Sequence, residues 1–165
     1  MAITYDPIAT TTLGTATSSI TFSSIAGTYT DLRLVWAGSW NTSSDRFCVR
    51  FNGDTGSNYG YTNLYGDGSS VASGRGNNVF IVANQTSRAQ GLMSMNALDI
   101  FSYAGSTFKT VLLDSPFDEN GAGYMIKQVA CWRSTAAITS VTMLTLNGNN
   151  FAIGTTATLY GIKAA

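Results

Sequence analysis

No ten-residue window of this chain combines strong helix formers with apolar residues at three- and four-residue spacing, while glycine and β-branched residues run through its whole length. Such a chain must satisfy its backbone between strands. In the segment 31–39, Leu32, Leu34 and Trp36 share one face and Arg33, Val35 and Ala37 share the other. Phe47, Val49 and Phe51 alternate with Cys48 and Arg50 in the same way. Further strands are expected at 19–25, 78–83, 95–103, 108–114, 124–132, 138–146 and 158–163.

Turn chemistry separates these segments. Ala26-Gly27-Thr28, Ala104-Gly105-Ser106 and Asn147-Gly148-Asn149-Asn150 read as turns, Arg88 to Gly91 as a polar connection, and Pro116 as a break in any ladder. Nine or ten strands at this spacing predict an all-β chain, an antiparallel β-sandwich of the jelly-roll type. An immunoglobulin-like sandwich would need Cys, Trp and Cys in an order and spacing that are absent. The 165 residues suffice for one core: residues 1–17, Thr- and Ala-rich with Pro7, read as an extended N-terminal arm, and 18–165 as a single β-sandwich domain.

The stretch from Arg50 to Gly76 is dense in Gly, Ser, Asn, Asp and Tyr and nearly free of aliphatic residues, so it is expected to be a long surface loop. Tyr59, Tyr61 and Tyr65 alternate there with small polar residues. That composition either packs its rings on the loop's own strands or presents them as a binding surface. Of the three tryptophans, Trp36 and Trp132 sit in strand patterns and are expected in the core. Trp40 opens the polar loop 40–45 and, with the three tyrosines, is the candidate contact residue for a partner or a glycan.

There is no histidine, which removes the commonest general base, the commonest metal ligand and the Ser-His and Cys-His pairs. Asp118 and Glu119 are the only adjacent carboxylates, and neighbours in a loop do not face each other across a cleft as a glycosidase pair must. Asn52, Asp54 and Asn58, or Asp67 with Asn63, lack the spacing and the bidentate Glu of a calcium loop, and turn chemistry accounts for them. The glycines around Asp67 and Arg75 have no P-loop lysine and no following helix. No catalytic residue, cofactor or metal is expected. Cys48 and Cys131 make no framework and read as reduced, packed side chains.

Charged residues make up 11 % of the chain, nine of each sign, against roughly 25 % in ordinary soluble domains. With so little charge and a net of zero, association with copies of itself or with other proteins is expected. The nine Lys and Arg are scattered singly, which argues against nucleic acid as a partner. No apolar run is long enough to span a bilayer, and the first residues have neither the basic start nor the apolar run of a signal peptide. A protein made and kept in a cytosol is the expectation.

Several ordered stretches carry a resemblance: Thr11-Thr12-Leu13-Gly14, Ser19 to Ile25, Tyr29-Thr30-Asp31-Leu32, Arg50 to Tyr59 and Leu159-Tyr160-Gly161-Ile162-Lys163. Over most of its length the chain resembles small structural proteins of tailed bacteriophages, jelly-roll components of the virion. That resemblance implies a capsid decoration or cement protein, made in the host bacterial cytoplasm and found in the virion. Its partners would be itself, as a homo-oligomer such as a trimer, and the major capsid protein or tail components. The alternative it allows is a tail fibre, spike or lectin-like module that recognises host surface glycans. It brings no catalytic residues.

Overall fold

The computed structural model describes residues 4–41, 45–83, 92–118 and 121–163. Its strands are β1 (Tyr5–Thr12), β2 (Ser19–Phe22), β3 (Asp31–Gly38), β4 (Phe47–Phe51), β5 (Tyr59–Gly66), β6 (Val71–Asn78) and β7 (Ile81–Val82). They continue as β8 (Ser94–Ile100), β9 (Lys109–Asp114), β10 (Phe117–Asp118), β11 (Gly123–Trp132), β12 (Val141–Thr145) and β13 (Thr156–Ile162). All pairs are antiparallel.

Two sheets pack face to face. The larger runs β1-β13-β3-β8-β9-β11-β5-β6, with β10 on β11, and the smaller runs β2-β12-β4-β7. Nesting explains this order. β1 pairs with β13, β2 with β12, β3 with β8, β4 with β7 and β5 with β6, so one long hairpin folds over with successive pairs falling in alternate sheets. That wrapping is the jelly roll. β9 and β11 are added between β8 and β5, which widens the large sheet beyond the small one.

The period of two is realised where one face is covered. In β3 the buried residues are Leu32, Leu34, Trp36 and Gly38, and in β11 they are Ile126, Gln128, Ala130 and Trp132. The inward faces of both sheets meet in one core that includes Phe47, Phe51, Tyr59, Ile100, Val111, Met143, Phe151 and Leu159. Burying such side chains supplies the driving force, about 1.5–3 kcal/mol for each large aliphatic or aromatic one.

Three expectations change. Residues 5–12 are not an arm: β1 is an edge strand of the large sheet, with Thr10 and Thr12 hydroxyls 3.0 and 2.9 Å from those of Thr158 and Thr156. Its threonines are β-branched and suit a pleated edge strand, while Ile8 is half-buried against the core. The stretch 50–76 is not one loop either, because after the turn at Asn52 and Gly53, with φ of 50° and 65°, it forms the β5–β6 hairpin. Of the expected strand 78–83, Asn78 closes β6 and Ile81 and Val82 form β7, with Val79 and Phe80 between them. The connection 88–91, residues 42–44 of the Trp40 loop, and Glu119 lie outside the described residues.

Candidate interaction surface

The four aromatic residues singled out by the sequence do not converge on a common site. Trp40 is 1 % exposed, with its ring centroid 4.2 Å from that of Phe47 and 6.0 Å from that of Phe151. The reason is long-range: Trp40 bridges to Phe151, and Asn41 N–H donates to the Asn150 carbonyl, which draws the loop's first residue into the sandwich. Tyr59 is 1 % exposed, and its hydroxyl accepts from Phe51 N–H at 3.0 Å and points at the Phe51 and Asp54 carbonyls. Burial pushes that phenol up to about 12. Neither Trp40 nor Tyr59 offers a ring face to a ligand.

Tyr61 and Tyr65 are half-buried and lie on the inward side of β5. Tyr61 lies over Gly76, where an added Cβ would come within 3.1 Å of its hydroxyl, and packs against the core. Tyr65 stands 6.4 Å from Tyr124, which in turn is 5.4 Å from Phe117. The rings pack on their own strands.

The surface open to a partner is the outer face of the large sheet, where sequence reasoning named no residue. Across β9, β11, β5 and β6 the register aligns Leu112, Val129, Thr62 and Arg75 in one row, and Asp114, Lys127, Leu64 and Ser73 in the next. Leu64, Leu112 and Val129 are 54, 46 and 45 % exposed, with Met125 and Met95 beyond them on the same face. The signal was present as apolar residues at the odd positions of β11 and the even ones of β9, on the side that the core residues leave free. Two shallow hollows lie here, about 470 Å³ over Gly60 beside Val129 and Cys131, and about 420 Å³ between Thr62, Leu64 and Leu112.

Charge on this face is largely cancelled within it. Arg33 Nη1 reaches both oxygens of Asp99 at 2.9 and 3.0 Å, and Lys127 Nζ lies 2.6 Å from Asp114. Arg75 makes no ion pair among the described residues. Two further carboxylates serve turns of the chain. Asp67 accepts from the backbone N–H groups of Ser69 and Ser70, which hold its carboxyl far below the usual range. Asp54 accepts from Trp132 Nε1 at 2.7 Å, Asn58 Nδ2 at 2.9 Å and Gly56 N–H at 2.8 Å. Among the described residues no three of His, Cys, Asp and Glu stand where they could hold a metal ion.

No family model matches the chain, and no curated protein matches it. Among solved structures, galectin LEC-6 of Caenorhabditis elegans is similar with a TM-score of 0.36 and 10 % identity, over 94 % of this chain and 96 % of that one. That is a distant likeness between two β-proteins.

Proposed function

We propose that the chain is a non-enzymatic structural protein of a tailed-phage virion, of the decoration or cement kind, whose work is to contact neighbouring subunits. One observation carries the reading: the outer face of the large sheet exposes Leu64, Met95, Leu112, Met125 and Val129 around ion pairs that are already satisfied. Apolar surface of that extent beside polar residues marks a protein contact. The hollows on it are shallow, and the carboxylates that border one of them are already engaged, Asp99 by Arg33 and Asp114 by Lys127, which fits a scaffold better than a catalyst. The resemblance to small virion proteins names the particle.

The glycan-binding alternative depended on rings presented by Trp40, Tyr59, Tyr61 and Tyr65, and no observation now favours it, because two are buried and two face inward. Cryo-electron microscopy of the particle that contains this chain tests the proposal. The expected result is density on the capsid lattice with the face of β9, β11 and β5 against a neighbour. Incorporation should be lost in the double variant Leu112→Lys/Val129→Lys. Density on the tail would move the chain to a fibre or spike, and absence from every particle would overturn the virion reading.

A further inference from the structure

β6 ends the large sheet, and the ladder parity fixes where its unpaired backbone groups point. Asp67 N–H donates to the Ser70 carbonyl at the tip of the β5–β6 hairpin, so hydrogen-bonded pairs alternate from there: 65 with 72, 63 with 74, 61 with 76. The Arg133 N–H bond to the Asn58 carbonyl gives the same parity from the other side of β5. Val71, Ser73, Arg75 and Asn77 therefore turn their N–H and C=O groups away from β5, on the side where no described strand pairs with them.

Natural edges are usually guarded by proline, a bulge or inward charge. The opposite edge has such guards, since β1 contains Pro7 and its register shifts between Pro7 and Ala9. β6 has none. Its eight residues pair with β5 without a shift, and Arg75 is its single charge.

We propose that β6 is a self-pairing edge, at which two copies of this chain join antiparallel about a two-fold axis through Gly74 to make one continuous sheet. An isologous contact requires the strand to be complementary to itself. With the axis at Gly74, Val71 faces the second copy's Asn77 and Ser73 faces its Arg75, so all four outward-turned residues enter hydrogen-bonded pairs, each exchanging two bonds. Shifting the axis to Arg75 sets two guanidinium groups opposite each other, and shifting it to Ser73 loses a pair. The net charge of zero adds no long-range repulsion between copies. A second copy is preferred to a foreign strand because this one register uses the whole edge at once. The inference holds whether or not the virion reading does.

Sedimentation equilibrium on the purified chain, from about 1 μM to about 1 mM, tests it with three variants at one position. Ser73→Pro removes an N–H that makes no bond to β5, so the monomer keeps its ladder while the dimer loses bonds. Ser73→Lys sets like charges against the second copy's Arg75, and Ser73→Glu sets opposite ones. The wild type should dimerise reversibly, Ser73→Pro and Ser73→Lys should weaken the dimer about tenfold or more, and Ser73→Glu should tighten it about threefold. Circular dichroism checks that each variant is folded; if Ser73→Pro is not, Ser73→Lys carries the test. A wild type that stays monomeric, or an oligomer indifferent to Ser73→Lys, overturns the proposal. A dimer that Ser73→Lys breaks and Ser73→Glu does not tighten overturns the Gly74 register.

Discussion

Asn63 and Gln128 stand opposite each other in the β5–β11 register, each 3 % exposed, and none of their four side-chain amide atoms has a hydrogen-bond partner among the described residues. A buried amide without partners costs stability, whereas apolar groups of the same shape cost none. The double variant Asn63→Leu/Gln128→Met substitutes apolar side chains of similar length and removes all four polar atoms. It should raise the unfolding free energy by about 1–3 kcal/mol, and the two single changes should depart from additivity because the side chains are cross-strand neighbours. Urea denaturation of the four proteins checks this, and a lower midpoint for the double variant would mean that the amides are satisfied in solution.

Trp132 and Asp54 give the fold a pH dependence. The indole N–H is the largest reason that the Asp54 carboxyl lies below its ordinary value, followed by the Asn58 amide. A carboxyl whose folded value is depressed stabilises the fold above the unfolded value, near 4, and loses that contribution as pH falls through the folded one. Asp54→Asn should therefore cost on the order of 1 kcal/mol at about pH 7. The gap to the wild type should narrow steadily below about pH 4, as urea midpoints at several pH values would report.

The jelly-roll class was legible because most strands have one wet and one buried face. The expected strand 31–39 matches β3 and 124–132 matches β11, each to within one residue, since alternation against a core fixes register. The site was not. β5 and β6 were hidden by glycines and asparagines that resemble a loop, yet Gly74 and Gly76 are small because Asn63 and Tyr61 lie over them. The period of two in Tyr59, Tyr61, Asn63 and Tyr65 was the missed signal. Trp40 could not be placed from its polar neighbours, because Phe151, more than a hundred positions away, buries it.

The two thiols should differ in reactivity. Cys48 is wholly buried, and burial pushes its thiol far above the ordinary range, so almost no thiolate forms there. Cys131 is half-buried on the outer face and borders the hollow over Gly60. Titration of the native chain with an aromatic disulfide should label Cys131 first and Cys48 after denaturation. Equal rates would contradict the burial of β4.

Gly161 should tolerate no side chain. The Tyr29 ring lies directly on it, and a Cβ there would overlap the ring's Cγ, Cδ1 and Cε1 atoms. The ring is not free to swing aside without loss: its hydroxyl donates to Asp6 at 3.2 Å, and Lys163 Nζ sits 5.4 Å from its centroid. Gly161→Ala should cost about 1–3 kcal/mol, while the double variant Tyr29→Ala/Gly161→Ala should cost no more than Tyr29→Ala alone. Thermal unfolding of the three variants reads this out.

Asp45 is the most fully buried carboxylate among the described residues. It is 0 % exposed and gathers the N–H of Arg46 at 2.7 Å, that of Asn147 at 3.0 Å, that of Asn149 at 3.3 Å and the Asn147 side-chain amide at 3.2 Å. It thereby ties the start of β4 to the turn that leaves β12, beside the Trp40, Phe47 and Phe151 cluster. Asp45→Ala leaves buried donors without acceptors and should cost about 3 kcal/mol or more. Asp45→Asn keeps one acceptor oxygen, sets an amide among donors, and should recover only part of the loss. If Asp45→Asn proved as stable as the wild type, the charge would be dispensable and the turn would be held by geometry alone. Intrinsic tryptophan fluorescence during urea unfolding is the direct measurement, since one of the three indoles, Trp40, packs beside the clasp that the substitution opens.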